Sequence, residues 1–180
     1  MTRMIRRYSL VAACALLVAG CATQPAQHAQ LWPDTPAAIR SVVLATAHGL
    51  RDDREVSGHW QGEDANSAFK AYFDGNQLKY VVETAGEGDK DYAVNKYYYL
   101  NAQLFYFQGQ GSVSSSDALN PRPVDIGVEL AFDRDGNVAE SVKTVNGQKV
   151  RLENGEAASI HSHADELRRQ ARTLLSQRKP

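Results

Sequence analysis

The stretch FKAYFDGNQLKYVVE, residues 69–83, decides the fold, because its apolar residues follow the pattern of a β-hairpin. On both sides of the triplet Asp74-Gly75-Asn76, apolar and polar residues alternate with a period of two. Asp, Gly and Asn are the residues that tight turns favour, since they tolerate left-handed backbone conformations. We therefore expect two antiparallel strands here, with Leu78, Tyr80 and Val82 on one face of the second strand and Lys79 and Glu83 on the other.

The same alternation runs outward from this hairpin in both directions. A strand is expected from Val56 onward, and further strands are expected downstream over residues 92–100, 104–109, 124–132, 138–145 and 149–152. The connecting turns are Asn101-Ala102-Gln103, residues 133–137 and Asn146-Gly147. Six to eight short strands joined by tight turns predict an antiparallel meander.

A helix is predicted at each end of the strand region. Thr35-Pro36 is typical of a helix start, with Thr35 as the N-cap residue and Pro36 in the first helical position. Residues 156–177 carry one apolar stripe at helical spacing, made of Ile160, Ala164, Leu167, Ala171 and Leu174. Clustered strands flanked by helices predict an α+β fold, in which a curved antiparallel sheet of six to eight strands carries both helices on one face.

The N-terminal region has the composition of a secretory signal peptide. Three arginines, at positions 3, 6 and 7, precede an uncharged apolar run over residues 10–19. Ten apolar residues are too few to span a bilayer as a helix, which takes about 20. A positive start, a short apolar core and small residues at the end predict export and cleavage.

The end of this segment, Val18-Ala19-Gly20-Cys21, resembles the lipobox of bacterial lipoproteins. The resemblance implies cleavage between Gly20 and Cys21 and acylation of Cys21, with fatty acyl chains such as palmitate as the membrane anchor. Ala22, rather than aspartate, follows the cysteine, which in that family favours sorting to the outer membrane. The chain as a whole resembles the small proteobacterial envelope lipoproteins of unknown function, so we expect a domain that faces the periplasm of a Gram-negative host.

These assignments divide the chain into three parts: a signal peptide (1–20), a lipidated N-terminus with a flexible tether (21–35) and a single α+β domain (36–180). Loss of the three signal arginines takes the formal net charge from −1 to −4, and an acidic domain of this kind gives no case for nucleic-acid binding. Cys14 and Cys21 are the two cysteines of the chain. After processing, no free thiol remains for catalysis, a disulfide or a thiolate metal site, and no cofactor is expected.

Aromatic residues on two adjacent strands form the first candidate site. A three-residue turn at 101–103 would place Tyr97, Tyr99, Phe105 and Phe107 on the core face. It would place Lys96, Tyr98, Leu100, Leu104 and Tyr106 on the other face. Because tyrosine combines a large apolar area with a polar tip, Lys96, Tyr98 and Tyr106 are a candidate binding surface. The alternative is an ordinary half-exposed sheet face with no ligand.

Two further groups of polar residues have the residue types of a metal site, but their spacing does not favour one. On a helix, His161 and Asp165 share a side, but His163 lies roughly 200° round the axis. Two ligands are too few for zinc. Residues 133–137 lack the spacing of an EF-hand calcium loop, and a hairpin turn explains them. We expect no metal at either place.

No nucleophile elbow, glycine-rich phosphate loop or other catalytic motif is evident in the sequence. The leading hypothesis is therefore a lipid-anchored, non-enzymatic envelope protein with a periplasmic binding or scaffolding domain. Its expected partners are the membrane, through the lipid, and an envelope protein, while any small-molecule ligand stays open. One alternative is an inhibitor or accessory factor of a cell-wall enzyme, with residues 112–123 as an inserted loop. Another is a lipid or lipoprotein carrier with an apolar cavity.

Overall fold

The computed structural model describes residues 31–62, 66–87, 91–114 and 122–178. They form one open, curved antiparallel sheet of eight strands with a helix at each end of the strand region, so the α+β fold is confirmed. The strands lie across the sheet in chain order. The elements are α1 (Pro36–Gly49), β1 (Arg54–Gln61), β2 (Asn66–Asp74), β3 (Gln77–Glu87), β4 (Asp91–Leu100), β5 (Gln103–Ser114), β6 (Pro123–Phe132), β7 (Val138–Val145), β8 (Gln148–Val150) and α2 (Glu156–Gln177).

The predicted signal peptide and Cys21 lie outside the described residues. Within the described part of the chain, neither helix is long and apolar enough to span a bilayer.

The hairpin at residues 69–83 forms as predicted, but a β-bulge changes which side chains of β3 face the core. Asp74 pairs with Gln77 across the turn, and Phe73 pairs with Leu78. The next pair joins Tyr72 to Tyr80, so Lys79 is an extra residue without a partner opposite it. An extra residue inverts the alternation beyond it. Val81 and Glu83 therefore face the same core as Leu78, and the expected outward position of Glu83 is wrong.

The β4–β5 hairpin carries an equivalent bulge. Its turn has two residues rather than the predicted three, because Leu100 pairs with Gln103. Asn101 and Ala102 adopt φ values of 51° and 65°, the left-handed conformation of the turns that match strand twist. Tyr98 pairs with Tyr106 and Tyr99 with Leu104, which makes Phe105 the extra residue. The predicted faces of Leu104 and Phe105 are consequently exchanged.

The two helices pack on opposite faces of the sheet, so the expectation that both lie on one face is wrong. We call the two sides the α2 face and the α1 face. The larger core lies between α2 and the α2 face, and its buried members are Val56, Phe69, Ala71, Phe73, Leu78, Val81, Tyr97, Tyr99, Leu104, Phe107, Val128, Leu130, Phe132, Ala164, Leu167 and Ala171. The smaller core lies under α1 and consists of Ile39, Tyr80, Tyr98, Leu100, Phe105 and Ala131. Each face needs a cover because both carry large apolar side chains.

The residues just before α1 also contact the rest of the domain. The Thr35 hydroxyl accepts a hydrogen bond from the amide of Ala38 at 3.2 Å, which confirms the predicted N-cap. Trp32 donates from Nε1 to the carbonyl of Phe132 at 3.0 Å, and its ring meets Phe105 edge-on. Trp32, which lies inside the segment predicted as a tether, thus packs against the domain.

Helix α2 packs on the sheet through the apolar stripe that the sequence predicts. Ala164, Leu167 and Ala171 are fully buried, as the sequence predicted. The Tyr99 hydroxyl donates to the carbonyl of Ala164 at 2.8 Å, and the Arg168 guanidinium donates to the carbonyl of Ala102. These contacts fix the axial position of α2 over β4 and β5.

Candidate functional site

Among the residues that the structure describes, Glu83 is the one charged side chain buried in the core of the α2 face. It is only 2 % exposed, and its buried neighbours are apolar residues, tyrosine and Ser67. An ionised carboxylate in such a place needs hydrogen-bond donors to replace water. Donors from β2, β4 and α2 meet that need.

The sheet register explains why these donors converge. Glu83 on β3 lies directly opposite Asn95 on β4. It also lies opposite Phe69 on β2, so Ser67, two residues from Phe69, shares its face. Tyr97 takes the equivalent position on β4, next to Asn95. Three adjacent strands thus present four polar side chains to α2 at one place.

The Glu83 carboxylate accepts hydrogen bonds from four side chains. Oε1 accepts from the Ser67 hydroxyl at 2.5 Å and from His163 Nε2 at 2.8 Å. Oε2 accepts from the Tyr97 hydroxyl at 2.8 Å and from Asn95 Nδ2 at 3.3 Å. A carboxylate has about four lone-pair sites, so this one is saturated. We call Glu83, Ser67, Asn95, Tyr97 and His163 the Glu83 network.

The electrostatics of the network keep Glu83 ionised. Burial by itself raises the pKa of Glu83, but hydrogen bonds from His163 and Ser67, the charge of His163 and the Tyr97 hydroxyl together lower it below its ordinary value. Burial and the adjacent Glu83 carboxylate raise the pKa of Tyr97 far above its ordinary value, so this phenol stays protonated and donates. An ionised carboxylate only accepts, so Nε2 of His163 carries a hydrogen.

Trp60 on β1 holds His163 from the other side. Its ring meets the imidazole edge-on, with 4.5 Å between the ring centroids. Its Nε1 donates to Glu166 Oε2 at 3.1 Å, one turn further along α2. The imidazole of His163 is therefore fixed between the carboxylate of Glu83 and the indole ring of Trp60.

A cleft of about 630 Å³ opens between β4–β6 and the first turns of α2, next to the Glu83 network. His163, Asn95 and Tyr97 form a polar wall on the side of the network. An apolar part of the lining includes Phe107, Val113, Ile126, Val128 and Ile160, and further polar residues, among them Glu153, Glu156 and Ser159, also line the cleft. The network therefore faces both the core and this cleft.

The cleft exists because small residues replace large ones on the α2 face at this point. Ala93, Gly109 and Gly111 line its floor. A Cβ atom on Gly111 would come within 2.6 Å of the carbonyl oxygen of Tyr92, and one on Gly109 within 2.9 Å of Asn95 Oδ1. Neither position accepts a larger residue without movement, so the hollow is built into the backbone.

The network has the residue types of a hydrolase triad but not the arrangement. In such a triad the histidine lies between the serine and the carboxylate. Here Ser67 and His163 both contact Oε1 of Glu83, so the carboxylate lies between them. This arrangement fixes the orientation of His163, and it does not activate the Ser67 hydroxyl.

The candidate aromatic surface is divided by the packing of α1. Tyr98 is 5 % exposed and belongs to the smaller core, so it presents no surface to a ligand. Tyr106 and Lys96 are half-buried, and the Tyr106 hydroxyl donates to Glu129 Oε2 at 3.1 Å. A binding role for Lys96 and Tyr106 stays a prediction.

The two histidines considered as metal ligands take different partners, as the helical geometry predicted. His161 Nδ1 lies 3.7 Å from Asp165 Oδ2, while His163 contacts Glu83. Within the residues that the structure describes, no group of three or more His, Cys, Asp or Glu side chains could hold a metal ion. Asp133 accepts hydrogen bonds from the amides of Asp135 and Asn137, and this segment forms the predicted turn.

Glu83 and Ser67 are not among the candidate site residues that the sequence indicates. The alternation predicts Glu83 on the same face as Lys79, and only the bulge at Lys79 moves Glu83 into the core. No local feature of the sequence marks this bulge, so neither residue could be identified from the alternation.

Comparison with protein-family models, curated proteins and solved structures finds no match to this chain.

Proposed function

We propose that this chain is a lipid-anchored, non-enzymatic protein of the cell envelope, whose periplasmic domain binds a small amphipathic ligand in the cleft beside the Glu83 network. The cleft is the observation that carries the binding role. Its volume of about 630 Å³ falls in the range of small-molecule sites, about 300–1,000 Å³. Such sites combine a mostly apolar lining with a few fixed polar groups.

The fixed polar groups support binding rather than turnover. His163, Asn95 and Tyr97 each donate to Glu83, so their positions are set before any ligand arrives. Preorganised groups strengthen binding because little freedom is lost on association. The carboxylate-centred arrangement supplies no activated nucleophile, which is why we favour a binding module over an enzyme.

The anchor rests on the sequence around Gly20 and Cys21. A single acyl chain holds a protein only marginally, while several chains hold it stably. Acylation of Cys21 would provide these chains, and Ala22 favours the outer membrane. In this proposal the partners are the membrane and the cleft ligand.

The carrier alternative has one specific observation in its favour, since the cleft lies between sheet and helix and has an apolar wall. A carrier is one form of the proposed binding module, in which the ligand has a long apolar body. The inhibitor alternative depends on the loop at 112–123, most of which lies outside the described residues.

A pair of matched variants tests the cleft. Ser159 and Ser162 are both exposed on α2, but only Ser159 lines the cleft. The mature chain with Cys21→Ser, residues 21–180, carries neither acyl chains nor the apolar signal segment, so it serves as the background for titration with the neutral fluorescent dye Nile red. We expect saturable binding in the background and in Ser162→Trp, and at least tenfold weaker binding in Ser159→Trp. Equal binding by both variants would refute the cleft as the site.

The anchor has a separate test. The wild-type chain should fractionate with membranes and show a mass that corresponds to an acylated N-terminal Cys21. Cys21→Ser should leave the membrane fraction. If the substituted protein still sediments with membranes after its signal has been removed, or if the mature wild-type chain carries a bare thiol, the anchor is wrong.

A further inference from the structure

We propose that the cleft selects a cationic amphiphile, a molecule with an apolar body and a primary or quaternary ammonium group. This inference rests on the proposed binding function and names the class of its ligand. Three features of the cleft carry it: the sign of its charge, the position of that charge and the aromatic rings beside it.

The charged groups at the cleft are predominantly acidic. Glu153 and Glu156 line its mouth, and none of the described residues that line it is lysine or arginine. Lys143 bonds both glutamates from outside the lining, at 3.3 Å and 2.9 Å. Two carboxylates and one ammonium leave one negative charge at the mouth.

Glu83 and His163, on the inner wall of the cleft, either increase this negative charge or leave it unchanged. Glu83 is ionised because its pKa is lowered, and His163 pairs with it. With a neutral imidazole the wall contributes a second negative charge, and with a protonated imidazole it contributes none. In both states the cleft is negative, so a cation is favoured and an anion is opposed.

The negative charge and the apolar surface are separated along the cleft. Glu153 is 80 % exposed at the mouth, where water reaches it, while Phe107, Val128 and Ile160 lie deeper. An amphiphile would place its apolar body against these side chains and its head beside the glutamates. A cation there is also attracted by aromatic faces, and Tyr92 lines the same cleft with 45 % of its surface exposed.

Two probes that differ only in the charge of the head group test the selection. The mature chain with Cys21→Ser is titrated by calorimetry with n-decyltrimethylammonium and with n-decyl sulfate, both below their micellar concentrations. We expect the cation to bind at least tenfold more tightly than the sulfate at low ionic strength, and added salt to narrow the ratio.

A charge variant with a matched control locates the effect. Glu153→Gln should weaken binding of the cation about two- to fivefold, as expected for one exposed charge, and should leave Nile red binding unchanged. Glu129→Gln, which removes an exposed carboxylate on the α1 face, should change neither. Equal affinity for the two decyl probes would overturn the charge selection, while loss of binding in Ser159→Trp would still support the cleft. No binding of either probe or of Nile red would overturn both proposals.

Discussion

Replacement of Glu83 by glutamine gives the sharpest prediction about the network. The two side chains have nearly the same shape, so the substitution removes the charge and one acceptor oxygen without opening a cavity. Glutamine retains a carbonyl oxygen for two of the four donors. Its amide nitrogen is itself a donor and faces the other two.

The structure sets the magnitude. The best orientation keeps the carbonyl toward Ser67 and His163, which make the 2.5 Å and 2.8 Å contacts with Oε1. The amide nitrogen then faces Tyr97 and Asn95. Each buried donor left without an acceptor costs about 1–3 kcal/mol. Rotation of the Tyr97 hydroxyl recovers part of this, so we expect Glu83→Gln to lower the free energy of unfolding by about 2–4 kcal/mol.

The assay is urea unfolding at neutral pH, followed by Trp fluorescence and far-UV circular dichroism. Glu129→Gln is the matched control, because Glu129 also accepts from a tyrosine hydroxyl and an amide but lies exposed. It should lose no more than about 0.5 kcal/mol. If Glu83→Gln and Glu129→Gln lose the same stability, the network does not hold α2 to the sheet.

Three further predictions concern the pH dependence, the turns and the core. Because folding lowers the pKa of Glu83, the ionised carboxylate stabilises the protein fully above the unfolded glutamate pKa of about 4.3. This stabilisation is lost as the pH falls through the lower pKa of the folded state. The difference in the free energy of unfolding between wild type and Glu83→Gln should therefore close in urea titrations at acid pH. Ala102→Gly should raise the free energy of unfolding by about 0.5–1 kcal/mol, because the φ angle of Ala102 is 65° and glycine adopts this conformation without strain. Ala158→Gly, on the exposed side of α2, should lower the free energy of unfolding by a similar amount. Changes of the same sign would contradict the turn geometry. Leu167→Ala should lower the free energy of unfolding, measured in urea, by about 2–5 kcal/mol, because Leu167 is fully buried. Leu44 is 60 % exposed, so Leu44→Ala should lower it by less than about 0.5 kcal/mol. Equal losses would contradict the packing of α2 on the sheet.

The sequence predicted the elements well because their signals are local. Alternation located the strands, Thr35-Pro36 located the start of α1, and the apolar stripe located α2 over the observed residues. Strand periodicity and helix capping depend on neighbours within a few positions, so a single sequence carries them.

The candidate site could not be predicted in the same way, because it depends on single-residue irregularities. Lys79 and Phe105 are extra residues on the second strands of their hairpins, and each inverts the side-chain faces beyond it. A one-residue change of register moves a side chain from solvent to core. Nothing in the local pattern marks which residue is the extra one, so the alternation predicts an outward position for Glu83.

The placement of the helices failed for a related reason. Without the bulges, the alternation predicts one face of the sheet against the core and the other toward solvent or a partner. The bulges at Lys79 and Phe105 bring Tyr80 and Phe105 to the α1 face, where they join Tyr98 in the smaller core. Two apolar faces need two covers, and the helices take one each.

The most direct test of the account is to locate a bound probe by NMR. Intermolecular nuclear Overhauser effects are measured between n-decyltrimethylammonium and the mature chain with Cys21→Ser. We expect contacts from the decyl chain to Phe107, Val128 and Ile160. Contacts confined to the groove beside α1, where Val43 and Tyr106 lie, would contradict it.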